Sequence, residues 1–218
     1  MSKLTKVIEN KNLNIQYLTA GDPTLADTKA KILEMEKNGV TAIVLDVPFS
    51  DPTAEGPAIQ AAHARALENG CHLPGIFEMI AELRKESQIP VVIGTYMNPV
   101  FNYGYEAFCK KCSEVGVDGA FFQDLPYEER AEIAELAAAN GIDILTIVAP
   151  TSAKRIEKLV TDSTGFIYAI PPTDMECAKN LVAEIKKYTA LPVVFGIYAE
   201  SKQDASQFAE FADGYVKC

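Results

Sequence analysis

The chain has 218 residues, of which 48% are hydrophobic and 23% are charged, and its net charge at pH 7 is −10. This size and composition predict one folded domain spanning residues 1–218, and the acidic charge disfavours nucleic acid and anionic membranes as partners, because both require a basic surface. The five cysteines follow no secretory signal and no apolar run approaches membrane length. We therefore expect a cytoplasmic protein with free thiols.

In chain order, apolar strands alternate with amphipathic helices. A short helix is expected over residues 4–12. Continuous apolar runs of the kind buried on both faces of a parallel sheet predict strands over 15–20, 42–47, 91–97, 119–123, 144–149, 166–170, 193–198 and 214–217. Helical periodicity and turn residues predict helices over 25–38, 58–68, 76–86, 105–115, 128–139, 153–160, 177–188 and 201–211, and a turn at Asn98-Pro99.

This alternation predicts an α/β protein with eight strand–helix units. Such a pattern favours a (β/α)8 TIM barrel, here with the last helix missing, over an open sheet. The sequence contains neither GxGxxG nor GxxxxGK[ST], so the phosphate signatures of both nucleotide-binding open sheets are absent from it. The loops that follow the strands are expected to form the functional face.

The loop after the second predicted strand concentrates the polar chemistry. The strand is apolar except for Asp46, and three prolines and Gly56 then prevent a continuing strand or helix. Ser50, Asp51 and Glu55 lie in this loop, and a helix is predicted from residue 58. Acidic residues at a strand-to-helix loop of a barrel are typical of an active site.

Several segments resemble the tryptophan synthase alpha chain family, each at the end of its own strand or loop. The pattern PFSDP followed by A-(D/E)-GP is quite specific to that family, and the likeness is strongest over residues 1 to about 170. The matching segments are YLTAGDP (17–23), PFSDP (48–52), AEGP (54–57), YMNPVFN (96–102), GVDG (116–119), DLP (124–126), VAPT (148–151) and GFIY (165–168).

The resemblance implies a lyase of tryptophan biosynthesis. It implies retro-aldol cleavage of indole-3-glycerol phosphate to indole and glyceraldehyde 3-phosphate, without a cofactor, in partnership with a tryptophan synthase beta chain. Proton transfer by carboxylates with raised pKa values suits such a reaction. No metal site is expected, because Cys109 and Cys112 have CxxC spacing within a helix but no second pair.

The expected catalytic carboxylates only partly match the family pattern. The family has a glutamate four residues before the proline of PFSDP, where this sequence has Val44, and a carboxylate between the Ala and Gly of the loop, where it has Glu55. Strand alternation puts Asp46 on the same face as Val44, about 6–7 Å nearer the barrel mouth. We therefore expect Asp46 and Glu55 to be the catalytic pair; the alternatives are a structural hydrogen bond for Asp46 and a solvated loop position for Glu55.

The family's phosphate-binding segments are altered here. The strand over 166–170 continues into Pro171-Pro172 rather than a glycine-rich loop, and the strand over 193–198 carries one glycine, Gly196, where two are expected. The helix N-terminus expected after the last strand lies beyond residue 218. Because backbone N–H groups at such positions hold phosphate, we expect a phosphorylated substrate to bind poorly or not at all.

The resemblance also suggests residues for the pocket and for the partner contact. Tyr17, Tyr96 and Tyr168 match pocket-lining aromatic positions, with core packing as the alternative. Asp51, Pro52 and Asp124 match the subunit-contact loops, although Asp51 also suits an Asx-turn and Asp124 a structural position. The two histidines, His63 and His72, have no partner visible in the sequence and are interpreted as structural.

Two other functions remain open at this point. One is a catalytically impaired alpha-like subunit that binds and activates a beta-type partner, which Val44 and the altered phosphate segments favour. The other is a repurposed barrel that acts on an unphosphorylated small molecule. An apolar pocket whose polar groups are only Asp46 and Glu55 would favour that second alternative.

Overall fold

The computed structural model describes Leu4, residues 13–197 and residues 205–218. The helix expected over 4–12 therefore lies outside the described residues, apart from Leu4. The strands are β1 (Leu13–Thr19), β2 (Ala42–Asp46), β3 (Val91–Thr95), β4 (Gly119–Phe122), β5 (Asp143–Ile144), β6 (Thr146–Val148), β7 (Ile167–Ala169), β8 (Val193–Ile197) and β9 (Gly214–Lys217).

All strand pairs are parallel, and the strands close into a barrel. The order is β5-β4-β3-β2-β1-β9-β8-β7-β6, and β5 and β6 are two segments of one strand interrupted at Leu145. The Leu145 N–H still donates to the Ala120 carbonyl at 2.9 Å, so this strand joins both ends of the sheet. The predicted (β/α)8 barrel is confirmed.

Helices surround the barrel. They are α1 (Leu25–Lys37), α2 (Pro57–Glu68), α3 (Leu73–Leu83), α4 (Met97–Tyr103), α5 (Tyr105–Val115), α6 (Ala131–Ala139), α7 (Ile156–Val160), α8 (Met175–Ile185) and α9 (Ala205–Phe208). Short 3₁₀ helices, Tyr127–Glu129 and Pro150–Arg155, precede α6 and α7. In the part of the chain that the structure describes, no helix combines the length and apolarity needed to cross a membrane.

The turn predicted at Asn98-Pro99 is wrong, because α4 occupies it. Pro99 is the third residue of this helix, and the first four N–H groups of a helix have no partner within it, so the proline removes no helical hydrogen bond. The Met97 N–H at the helix start instead donates to the Asp124 carboxylate at 2.8 Å. A long-range cap of this kind leaves no local trace in the sequence.

The hydrophobic residues form two layers. One cluster fills the barrel interior and includes Val44, Val92, Phe121 and Tyr168. The other clusters, which contain the alternate strand residues such as Ile43, lie between the barrel and its helices. Since Val44 faces the interior, strand alternation also turns Asp46 inward at the carboxyl end of β2.

A buried ion pair joins α3 to the start of β3 and β4. Asp118 Oδ2 accepts the Val91 N–H at 3.0 Å and lies 3.3 Å from Arg84 Nη2. Arg84 also donates to the Gly116 and Ile89 carbonyls, both at 2.7 Å. Both side chains are largely buried, so removing the carboxylate leaves a guanidinium and an N–H without their partner.

We expect Asp118→Ala to lower the free energy of unfolding by about 3 kcal/mol, because a buried charge loses its partner. Urea denaturation at pH 7 measures this. The matched control is Glu82→Ala, which breaks an exposed pair with Lys85 and should cost less than about 1 kcal/mol. If both variants lost the same free energy of unfolding, the buried pair would stabilise the fold no more than the exposed pair does.

Candidate active site

Asp46 lies at the carboxyl end of β2, on the inner face of the barrel, and is fully buried. Its neighbour in register on β3 is Gly94. A Cβ atom at Gly94 would lie 2.8 Å from the Phe121 ring and 3.3 Å from Asp46 Oδ1, so glycine provides the space that the carboxylate occupies. Among the buried side-chain nitrogen and oxygen atoms that the structure describes, Asp46 Oδ1 alone makes no hydrogen bond of normal geometry.

The other oxygen of Asp46 pairs with a histidine. His63, buried on α2, contacts Asp46 Oδ2 through Nε2 in a short hydrogen bond. The second ring nitrogen, Nδ1, accepts the Phe49 N–H at 3.2 Å. An N–H donor needs a lone pair on Nδ1, so the proton of the neutral imidazole lies on Nε2 and is donated to Asp46.

A second carboxylate, Glu55, lies close to this pair. Glu55 is 7% exposed, and its Oε1 accepts the Gln123 amide N–H at 2.6 Å and the Tyr17 hydroxyl at 3.4 Å. Tyr17 belongs to β1, Gln123 follows β4, and Glu55 lies in the loop after β2. Three separate strand ends therefore converge on one carboxylate at the barrel mouth.

Burial dominates the electrostatics of these acids. Burial and the nearby Asp46 charge raise the pKa of Glu55 to about 7, against opposing effects of His63 and Tyr17. Burial also raises the pKa of Asp46, while the hydrogen bond and charge of His63, and more weakly the Tyr17 hydroxyl, lower it. For His63, burial lowers the pKa and the Asp46 carboxylate raises it, but protonation of Nδ1 would oppose the Phe49 N–H that donates to it, so the geometry favours the neutral ring.

Tyr17 is part of the same electrostatic group. Burial and the charges of Asp46 and Glu55 raise its pKa well above the usual value, so the phenol keeps its proton and acts as a donor. The site therefore contains a carboxyl group near half-protonation at neutral pH, a buried carboxylate with one unpaired oxygen, and a neutral phenol. Such a set can give and accept protons in one confined space.

Tyr96 and Tyr168 both lie inside the barrel mouth, but Tyr96 makes a hydrogen bond to the Glu55 loop whereas Tyr168 packs against other side chains. The Tyr96 oxygen accepts the Ala54 N–H at 2.9 Å, beside Glu55, and its ring contacts Phe49 with centroids 5.1 Å apart. Tyr168 stacks on Phe121 with centroids 5.6 Å apart. The Tyr168 hydroxyl fills the space above Gly196, where a Cβ atom would collide with it.

We expect Tyr96→Phe to weaken the site by loosening the Glu55 loop, because the Ala54 N–H loses its acceptor. The cost of one such hydrogen bond is about 1 kcal/mol, which corresponds to roughly a fivefold loss in kcat/KM. Steady-state kinetics of the variant measure it, with Tyr105→Phe on the half-buried start of α5 as the control. An unchanged kcat/KM would show that Tyr96 serves packing only.

The residues predicted for partner contact lie on the outside of the mouth. Asp51 is exposed and Pro52 is half-buried, and the Ser50 hydroxyl donates to Asp51 Oδ2 at 2.6 Å. Asp124 is exposed and accepts the first N–H of α4. These three residues therefore do not join Asp46 and Glu55, and Asp124 has a structural contact of its own.

Sequence reasoning missed two members of the site. The sequence predicts a structural role without a partner for His63, whereas the structure pairs it with Asp46. The sequence predicts Gln123 only as the last residue of a strand, whereas its amide donates to the Glu55 carboxylate. One signal was present for His63. It lies between Ala62 and Ala66 on the buried face of α2, and a polar side chain on such a face requires a partner.

No cluster of three or more His, Cys, Asp or Glu side chains that could hold a metal ion occurs in residues 13–197, 205–218 or Leu4. Cys109 and Cys112 are buried in the layer between the barrel and α5. Burial raises the pKa of the Cys109 thiol to about 11, so it is protonated at neutral pH.

Comparison with known proteins gives a consistent family. The family model described as tryptophan synthase alpha chain matches residues 3–217. A tryptophan synthase alpha chain from Lacticaseibacillus casei is 39% identical over 224 residues, covering 99% of this chain and 84% of the relative. One from Alkaliphilus metalliredigens is 39% identical over 210 residues, covering 93% and 79% respectively.

Solved structures agree with these sequence matches. Tryptophan synthase subunit alpha from Legionella pneumophila superposes with a TM-score of 0.92 at 32% identity, covering 100% of this chain and 86% of that one. A chain in an open-form structure of tryptophan synthase from M. tuberculosis superposes with a TM-score of 0.91 at 30% identity, covering 99% and 88%.

Proposed function

The chain belongs to the tryptophan synthase alpha chain family, and from that premise we propose that it cleaves indole-3-glycerol phosphate to indole and glyceraldehyde 3-phosphate without a cofactor. The observation that carries the proposal is the pair of buried carboxyl groups, Asp46 and Glu55, at the carboxyl end of the barrel strands. This is the end at which barrel enzymes hold their active sites.

The reaction needs two proton movements. Carbon 3 of the indole ring gains a proton, and the hydroxyl on the adjacent side-chain carbon loses one. The bond between these carbons then breaks, its electron pair returns to the ring, and the hydroxyl carbon becomes the aldehyde of glyceraldehyde 3-phosphate. No net proton is consumed, so one group that gives and one that accepts a proton suffice.

The two acids suit these two roles. Glu55, whose pKa is raised to about 7, is protonated in a large share of molecules at neutral pH and supplies the ring proton. Asp46 accepts the hydroxyl proton on Oδ1, which has no hydrogen bond within the described residues. In this assignment the base stands two residues further along β2 than the family's glutamate, whose position is Val44, and it remains on the same inward face.

The aromatic side chains supply the walls for the indole. Tyr17, Tyr96 and Tyr168 are all less than 10% exposed and lie around the two carboxyl groups. Tyr17 also donates toward Glu55, and keeps its proton because burial raises its pKa. Gly196 contributes the room in which Tyr168 sits.

We place the contact with a tryptophan synthase beta chain at the loop after β2 and at the end of β4. Asp51, Pro52 and Asp124 lie there on the outer side of the mouth, partly or fully exposed. Their position next to the Glu55 loop would let a bound partner act on the site. An alpha–beta mixture that sediments as a complex, and that loses association on Asp51→Ala, would support this contact.

The test of the activity is indole release from purified protein at pH 7, alone and with a beta chain. Indole and glyceraldehyde 3-phosphate should appear in equal amounts. Failure of both assays, with correctly folded protein, would refute the proposal and favour a subunit that only activates its partner.

A second substrate class is tested in the same assay, namely unphosphorylated indole-3-glycerol. One observation favours it. The N-terminus of α8, which follows the β7 loop, is already occupied by a carboxylate, since Asp174 accepts the N–H groups of Glu176 and Cys177. That helix end offers no free N–H pair for a phosphate. A higher kcat/KM for the unphosphorylated compound would identify it as the substrate.

A further inference from the structure

We propose that His63 is a positioning residue, which holds Asp46 ionised and leaves its Oδ1 atom as the proton acceptor of the site. This inference rests on the proposed function for its catalytic meaning, but the ionisation state that it assigns can be measured without any activity. Its basis is a three-part arrangement that joins the loop after β2, helix α2 and the end of β2.

The first part is the Phe49 N–H, which determines where the imidazole proton lies. This backbone group donates to His63 Nδ1 at 3.2 Å, and a backbone N–H can only donate, never accept, a hydrogen bond. If Nδ1 also carried a proton, two N–H donors would face each other in a buried site. The loop backbone therefore favours the neutral tautomer with its proton on Nε2.

The second part is the contact between His63 Nε2 and Asp46 Oδ2. With the proton on Nε2, Asp46 Oδ2 is the acceptor, and the bond is strongest when the carboxylate is charged. Asp46 is fully buried, and burial alone favours its protonated form. His63 supplies the strongest donor that opposes this effect, and the Tyr17 hydroxyl contributes less.

The third part is the unpaired oxygen of Asp46. Asp46 Oδ1 has no partner among the described residues and lies on the inner face of the barrel, next to Gly94. Because Oδ2 accepts the His63 Nε2–H and Oδ1 has no hydrogen bond, we assign Oδ1 as the oxygen that takes the proton from a substrate hydroxyl. His63 therefore determines both that Asp46 is ionised and which of its oxygen atoms accepts the proton.

Three other titratable groups face this pair, and their effects differ: the Tyr17 hydroxyl acts as a weaker second donor to Asp46, whereas a charge on Glu55 opposes ionisation of Asp46. Glu55 approaches from the loop, Tyr17 from β1, and Cys218, which follows β9, contributes a weaker interaction with Asp46 and Tyr17. Two charged carboxylates in one buried site repel each other, so one of the two keeps a proton. Glu55 also has donors, namely Gln123 and Tyr17, but its pKa is still raised to about 7, so we assign the shared proton to Glu55.

The first experiment measures protonation directly. The chain has only two histidines, so long-range proton–nitrogen NMR spectra of the imidazole rings resolve both, and His72→Gln assigns them. We expect His63 as the neutral Nε2–H tautomer at pH 7. A neutral Nδ1–H tautomer, or an imidazolium ring at pH 7 and above, would overturn the inference.

The second experiment follows the Asp46 carboxyl carbon by carbon-13 NMR during a pH titration, with Asp46→Asn for assignment. In His63→Leu, which has no donor, the Asp46 pKa should rise by at least about one unit. His63→Gln, whose amide can donate, should restore part of that shift. Identical titrations in wild type and His63→Leu would overturn the proposal even if both proteins are folded.

The third experiment connects the ionisation to catalysis. The acidic limb of the pH profile of kcat/KM should move to higher pH in His63→Leu by the same amount as the carboxyl titration, and less in His63→Gln. His72→Gln should leave the profile unchanged. A uniform loss at every pH would indicate a structural role only. Inactive wild-type protein would refute the proposed function, while the two NMR experiments would still decide the state of Asp46.

Discussion

Replacing Asp46 by asparagine should reduce indole release by about 10²–10⁴-fold, the usual contribution of a positioned proton-transfer group. The loss should fall on kcat rather than KM, because the amide keeps the shape of the side chain but cannot accept the hydroxyl proton. The variant should still fold. Its carbonyl oxygen can accept the His63 Nε2–H, and the buried charge is removed.

The thermal stability of Asp46→Asn makes this result interpretable. Burial raises the pKa of Asp46, so above the usual carboxyl range the ionised group destabilises the folded state, and the neutral amide should melt at the same temperature or higher at pH 7. Asp51→Asn, in the exposed part of the same loop, is the matched control and should release indole normally without its partner. Full activity in Asp46→Asn would exclude Asp46 as the base.

Glu55→Gln should lose activity and gain stability, with both effects depending on pH. The amide cannot supply a proton, so kcat should fall by about 10²-fold or more. In the wild-type protein, activity should decline as pH rises through about 7, where Glu55 loses its proton. If Glu55 instead served as an ionised acceptor for the indole N–H, activity would rise through the same range.

The stability effect has a definite sign. The pKa of Glu55 is raised from 4.5 to about 7 in the folded protein, so the unfolded state releases its proton first as pH increases. Folding stability is therefore fully present below about pH 4.5 and falls by up to about 3 kcal/mol as pH rises through 7. Glutamine does not titrate and avoids that loss.

Melting temperatures of wild type and Glu55→Gln at pH 5 and pH 8 measure the difference. The two should be similar at pH 5, and the variant should be the more stable at pH 8. Glu68→Gln, at an exposed position at the end of α2, is the matched control for the removal of one carboxylate. If the difference in melting temperature between wild type and Glu55→Gln were the same at both pH values, the pKa of Glu55 would not be raised.

Much of the fold could be predicted from the sequence because its signals are local. Each barrel strand is a continuous apolar run, and β2, for example, is buried at all five positions. Strand alternation also puts Asp46 on the same face as Val44, where the structure has it. The starts of α6 and α7 were predicted too early because 3₁₀ turns precede them, and such turns share the helical residue pattern.

The parts of the site that sequence could not provide are contacts between distant segments. His63 meets Asp46 across 17 residues and Gln123 meets Glu55 across 68, and no periodicity encodes either pair. The Asp124 cap of α4 has the same character. The individual acids could be predicted, whereas the environment that determines their protonation depends on how the barrel brings these segments together.

The hydrogen bond from the Phe49 backbone to His63 has a thermodynamic consequence for anything that binds the loop after β2. The conformation of that loop and the proton affinity of the buried acids belong to one coupled equilibrium. By reciprocity, a partner that prefers one position of Phe49 must release or take up protons as it binds, and its affinity must vary with pH to the same extent. Calorimetry of the association in buffers of different ionisation enthalpy would count those protons.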